Sequence, residues 1–264
     1  MLKKIIVLSS IFTIGLLIAG CGKGKTAITM AGSTAFQPFA EKLAEQYMST
    51  HNNVSITVQG GGSAVGIQSA NSGAAQIGMA DLVILPDEAK ALTSVAVAKD
   101  GIAVVVNPKN SVMSLTTDQV RDIFNGRITN WKEVGGTDAA ITVVSREAGS
   151  GTRSSFEQIV KGIVLKKEAL IQDSNGTIRE TVANDVNSVG YLSHGLINEK
   201  ITALSLDGQA CTSESIIAGD YKIVRPIYLL VKGDAPGEVG NFIDYILSPE
   251  GQQTIKANHL LPVK

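Results

Sequence analysis

From Thr26 onward, short apolar runs alternate with segments whose apolar residues recur at helical spacing, and no other feature limits the possible folds as strongly. The apolar runs are "AITMAG", "VSITVQG", "AQIGMAD", "GIAVVVN", "ITVVSR", "VGYLS" and "IVRPIYLLVK". Phe36, Phe39, Ala40, Leu43, Ala44 and Tyr47 follow the i, i+3, i+4 rule, which predicts a helix beginning just after "GST" with one apolar face. Phe156, Ile159, Val160 and Ile163 form a similar stripe after "SGT". Further helices are expected from Thr117 to Phe124, stopped at Asn125-Gly126, from Thr177 to Val186, from Gly237 to Leu247 and from Pro249 to Ala257. A chain with this pattern covers a sheet with helices, the α/β architecture.

Three of the strand-to-helix turns share a chemistry. Gly32-Ser33-Thr34-Ala35 follows "AITMA", Gly60-Gly61-Gly62-Ser63 follows "VSITVQ", and Ser145-Arg146-Glu147-Ala148-Gly149-Ser150-Gly151-Thr152-Arg153 follows "ITVV". Glycine permits the bend, and a Ser or Thr hydroxyl satisfies first-turn N–H groups, so each turn taken alone is an ordinary helix start. Together they point to one place. A helix N-terminus carries unpaired N–H groups and about half a positive charge, so several such ends converging make a cavity for a desolvated anion. Arg146 adds the only full charge expected there, in a fork that fits two oxygens of a tetrahedral ion.

Asp81 closes the run "QIGMAD", where a carboxylate would face the same strand-end crevice. The alternative for it is a loop residue or a cap. Against a bound anion its repulsion would be about 4 kcal/mol at about 4 Å with an effective dielectric near 20. That repulsion disappears when the anion brings a proton to share. Phosphate near neutral pH carries one or two protons; sulfate carries none and is refused by roughly a thousandfold. Abundant donors with one acceptor therefore read as selective for phosphate.

The 264 residues are 44% hydrophobic, enough for one large domain or two of ordinary size. A net charge of −1 gives no basic excess for nucleic acid. The N-terminus is a different kind of sequence: Lys3 and Lys4, an apolar stretch from Ile5 to Ile18, then Ala19, Gly20 and Cys21. It reads as a signal peptide over residues 1–20, with a transmembrane anchor as the alternative. The run "LIAGC" resembles the lipobox of bacterial lipoproteins, which implies cleavage before Cys21, lipidation of its sulfur, and residues 21–25 as a tether. Residues 19–26 also match a loose GxxxxGK(S/T) phosphate-loop pattern, but a membrane segment precedes it and a β-like run follows, the wrong context for such a loop. Cys211 is the other cysteine; with Cys21 lipidated it has no intramolecular partner and is expected to be a buried small hydrophobe. His51, His194 and His259 lack the spacing of a zinc site, so neither a metal nor a cofactor is expected.

In order and at compatible spacing, "AGSTAF", "QGGGSAVG", "IGMAD", "DIFNGRITNWKEVGG" and "SREAGSGTRSSFE" resemble the phosphate-binding proteins of bacterial high-affinity phosphate ABC importers. The resemblance covers the mature chain. It implies a periplasmic-binding-protein-like fold of two α/β lobes joined by a hinge, with phosphate in the cleft between them. The lobes would be residues 26–103 with 224–264, and residues 104–223. Carried over, the ligand groups fall on Ser33, Thr34 and the Ala35 backbone, on Ser63, Asp81 and Arg146, and on Ser150, the Gly151 backbone and Thr152. Some relatives brace the arginine with an acid two residues on; here that position is Ala148, leaving Glu147 or Asp81 for the task. Trp131 is expected to be a packed anchor. The implied protein is not an enzyme but a monomeric, lipid-anchored, extracytoplasmic receptor whose partners are phosphate, the membrane and ABC permease subunits. A receptor for sulfate or molybdate is one alternative. A hydrolase with Ser150 as nucleophile and His194 as a distant base is another, although no GxSxG elbow is present.

Overall fold

The computed structural model describes residues 25–235 and 237–263. The signal peptide, Cys21 and nearly all of the tether lie outside them, as does most of the 19–26 pattern, whose last residue Thr26 begins a strand.

In the first part of the chain, β1 (Thr26–Gly32), α1 (Gln37–Thr50), β2 (Val54–Gly61), α2 (Ser63–Ser72) and β3 (Ile77–Ala80) follow one another as parallel βαβ units. Helix α1 buries Phe39, Ala40, Leu43, Ala44 and Tyr47, the stripe anticipated from spacing, with Pro38 in its first turn where no N–H is missed. Then comes β4 (Leu92–Val106), whose fifteen residues extend about 50 Å. Its first part pairs antiparallel with β11 (Val224–Lys232) and its last residues pair antiparallel with β8 (Ser188–Ser193). One strand thus belongs to both halves of the molecule.

The middle of the chain contains β5 (Ser114–Leu115), α3 (Thr117–Phe124), β6 (Thr142–Arg146), α4 (Gly151–Val160), β7 (Leu170–Gln172), α5 (Asn175–Asn184), β9 (Thr202–Ala203), β10 (Ser205–Leu206) and α6 (Ser213–Ala218). After β11 the chain ends in α7 (Glu238–Leu247), α8 (Pro249–Ala257) and β12 (Leu261–Pro262). The sheet order is β2-β1-β3-β11-β4-β8-β6-β7, with β9 and β12 added to β4, while β5 and β10 pair separately. Helix ends follow local rules: α3 and α5 begin in reciprocal capping boxes at Thr116/Gln119 and Ser174/Thr177. Helix α4 stops at Val160 because Lys161 and Gly162 take positive φ, so Ile163 of the expected stripe packs against the core from a loop.

Among the described residues two large apolar cores flank the crossing strands, with a smaller cluster around Ile67, Leu82 and Leu230. One gathers Met30, Phe36, Leu43, Met79, Val97, Ile227, Leu229, Phe242 and Ile255; the other gathers Val104, Val105, Phe124, Trp131, Val144, Phe156, Val189 and Tyr191. At about 1.5–3 kcal/mol for each fully buried large side chain, either core is substantial. Trp131 is fully buried and its indole N–H donates to the Asn187 carbonyl at 2.9 Å. Cys211 is a buried free thiol, pushed up to about 12 chiefly by burial.

Candidate functional site

β1 and β3 run parallel, and β6, parallel to β8, runs opposite to them through β4, so the carboxyl ends of the three strands meet between the two cores, the position at which open α/β sheets bind ligands. Gly32 ends β1 with φ +135°, and a Cβ there would collide with the Met79 carbonyl; only glycine allows the turn to lie this close to β3. Ser33 and Ala35 are buried in this turn, and Ser33 Oγ accepts the Phe36 N–H at 3.2 Å. Thr34 is half-buried. Its Oγ1 accepts from the Asn175 backbone N–H at 3.3 Å and from Asn175 Nδ2 at 3.1 Å, a contact reaching across the crevice.

Asp81 follows β3 rather than ending it, and is 2% exposed. Ser63, the first residue of α2, donates from Oγ to Asp81 Oδ1 at 2.6 Å. Thr152, in the first turn of α4, donates from Oγ1 to Asp81 Oδ2 at 2.9 Å. Gly151 is forced to be glycine by the same convergence: a Cβ would overlap Ser63 Oγ and come within 2.6 Å of Asp81 Oδ1. Ser155 Oγ donates to the Asp81 carbonyl at 3.0 Å, and the Ala64 N–H donates to the Gly149 carbonyl at 3.1 Å. The turns that open α2 and α4 are therefore stitched to one another. Ser150 is buried as the N-cap of α4, accepting the Arg153 N–H at 3.2 Å.

Arg146 closes β6 and is 1% exposed. Its Nε and Nη2 donate to the two carboxylate oxygens of Glu147, each at 2.8 Å, and Nη2 also donates to the Asp173 carbonyl at 3.3 Å. Glu147 is thus the brace, by a bidentate pair that fixes the guanidinium plane. From behind, the Tyr191 hydroxyl accepts the Arg146 N–H at 3.4 Å and bonds Ser145 Oγ at 2.8 Å, while its ring stacks on Phe156 at 4.2 Å. Burial pushes this phenol up to about 12, so it stays protonated. Arg146 Nη1 is buried with no hydrogen-bonding partner.

Three participants were not singled out by sequence reasoning. Asn175, the first residue of α5, donates to Thr34 and at 3.4 Å to Thr152, while its Oδ1 accepts the Ser193 N–H at 3.0 Å. Arg225 of β11 and Asp100 of β4 are the others. Arg225 Nη2 lies 2.8 Å from Asp81 Oδ2 and 3.0 Å from Asp100 Oδ2. The expectation that Arg146 is the lone full positive charge is therefore corrected. Burial pushes the Asp100 carboxyl up to about 6 against the pull of Arg225. A signal was present in "VRPIYLLV": Arg225 falls in phase with Ile227 and Leu229, which places a charge on the inward face of a strand. His194 Nδ1 sits 3.2 Å from the His259 carbonyl, and the Ser150 Oγ bond is to the Arg153 N–H.

A family model described as a PBP superfamily domain matches residues 19–250. The phosphate-binding protein PstS of Bacillus subtilis is 36% identical over 237 residues, covering 88% of this chain and 79% of that protein. PstS of Borreliella burgdorferi is 26% identical over the full length of both chains. A crystal structure assigned as a phosphate ABC transporter substrate-binding protein from Clostridium perfringens, with bound phosphate, superposes with TM-score 0.87 at 40% identity, covering 90% of this chain and 100% of that one. An ABC-type phosphate transport receptor from Vibrio cholerae gives TM-score 0.73 at 35% identity, covering 89% and 99%. With two cores on a shared strand, helix starts meeting at a buried acid, and full-length likeness to these receptors, the chain belongs to the PstS phosphate-binding proteins of the PBP superfamily.

Proposed function

We propose that the protein is an extracytoplasmic receptor that captures inorganic phosphate in its cleft and delivers it to an ABC permease. The reading divides the chain into lobes at 26–103 with 224–264 and at 104–223, hinged where β4 and β11 run side by side. The observation that carries it is Arg146: a guanidinium buried and oriented by Glu147, with one nitrogen lacking any protein partner. Ligand groups would come from the turn before α1 (Ser33, Thr34, the Ala35 backbone), from Ser63 and Asp81, and from the α4 start (Arg146, Ser150, the Gly151 backbone, Thr152). Dipoles and the unpartnered Nη1 of the braced Arg146 bind the oxyanion, and Asp81 accepts the proton that phosphate still carries. No covalent step is involved. Cys21 would hold the lipid that tethers a monomeric receptor to the membrane, and mass spectrometry of the mature protein tests that part.

Calorimetric titration of the protein with phosphate, sulfate and molybdate tests the ligand. Tight phosphate binding with sulfate refused is expected; preference for either other anion overturns the reading. Turnover of a phosphate or acyl ester that vanishes in Ser150→Ala would replace a receptor with a hydrolase.

A further inference from the structure

Arg225 stands where the crossing strands pass from one core to the other. It is the register partner of Asp100 on β4, and two residues further Ile102 already pairs with Ser193 of β8. Its Nη2 reaches three oxygens: Asp81 Oδ2 at 2.8 Å, Asp100 Oδ2 at 3.0 Å and Thr152 Oγ1 at 3.2 Å. Nε and Nη1 are buried without hydrogen-bonding partners. Stability does not explain such a residue, because an apolar side chain in phase with Ile227 and Leu229 would serve a core as well or better than a desolvated ion cluster.

The cluster does orient one group. Asp81 Oδ1 accepts from Ser63 Oγ and Oδ2 from Thr152 Oγ1, while Arg225 Nη2 is ion-paired with Oδ2 at 2.8 Å. A carboxylate offers about four lone-pair sites, so two fixed hydrogen bonds and one close cation leave it room for one more donor. We infer that Arg225 is a specificity-determining positioning residue, which locks the Asp81 carboxylate so that its remaining lone pair accepts only from an oxyanion carrying its own proton. Asp100 braces the guanidinium from the hinge side. The inference rests on the phosphate-receptor reading and extends it to a residue acting through Asp81. An unlocked carboxylate can turn away, which weakens the partner offered to a protonated guest and relieves the repulsion felt by an unprotonated one.

Titration of phosphate and sulfate into the parent, Arg225→Met and Arg225→Lys, alongside thermal melts, tests it. In Arg225→Met the phosphate-to-sulfate affinity ratio is expected to fall at least tenfold, with sulfate binding no weaker than in the parent. Arg225→Lys, which keeps a cation within reach, should recover most of the ratio. Equal weakening of both anions, or no change, makes Arg225 a structural brace and overturns the inference. A ratio that rises means its charge acts on the guest directly, which also overturns it. Should Arg225→Met fail to fold, Arg225→Gln carries the same test with the same outcomes. A parent that binds no phosphate sinks the receptor reading instead, before any variant is compared.

Discussion

Arg146 and Asp100 are both buried charges in this site, and they behave differently because their partners differ. Arg146 has a bidentate acid beside it, so its positive charge is oriented toward the crevice at little cost in mobility. Replacing it with alanine strands Glu147 and removes the unpartnered Nη1 donor with its charge; phosphate affinity measured by calorimetry should drop by about 3–5 kcal/mol. Asp81→Asn should act on discrimination: the phosphate-to-sulfate ratio falls, while phosphate alone weakens less. For Asp100 the consequence is a pH dependence of stability. Its carboxyl is raised from an ordinary value of 3.8 to about 6 in the folded protein, so between those values the folded form holds a proton that the unfolded chain has released. Stability from this group is therefore present below about pH 4 and is lost as pH rises to about 6, amounting to about 3 kcal/mol. Melting curves across this range should show that decline in the parent and its absence in Asp100→Asn.

Helix starts are the elements that make the site, and the start of α4 is the most tightly constrained of them. Gly151→Ala would drive a methyl into Ser63 Oγ and Asp81, forcing the two halves apart at the point where they meet. Overpacking of this kind costs about 1–3 kcal/mol, and phosphate affinity should fall at least tenfold with only a modest loss in melting temperature. Most of this element was legible beforehand. Ser150 as cap, Gly151 as the bend and Thr152 in the first turn follow from local rules that need no distant partner. Asn175 was not legible, because an asparagine at the start of a helix is indistinguishable from an ordinary cap until Thr34 is seen opposite it. Ile163 misled for a related reason: the apolar spacing continued past a point where Lys161 and Gly162 had already turned the backbone.

At the scale of the whole molecule, two large cores share one long strand, and the contacts between halves include polar ones from Thr34 to Asn175, Ala64 to Gly149, Thr152 and Ser155 to Asp81, and Arg225 to Thr152. A guest bound among them stabilises the folded state by mass action. At a hundredfold excess over its dissociation constant phosphate should contribute about 2.7 kcal/mol, raising the melting temperature by about 5–10 °C. The same concentration of sulfate should leave it unchanged, which differential scanning fluorimetry checks directly.

Local chemistry, read along the chain, already dictated the alternating α/β pattern, the glycine-hydroxyl turns and the candidate anion donors, since strand period, helix period and capping are properties of neighbours within a few residues. The inward charge at Arg225, its sharing between Asp81 and Asp100, and the reach of Asn175 to Thr34 came only with the fold. Those pairings join residues from 125 to 144 positions apart, and which of many buried partners a charge meets depends on how β4 and β11 cross, a geometry that no local window encodes.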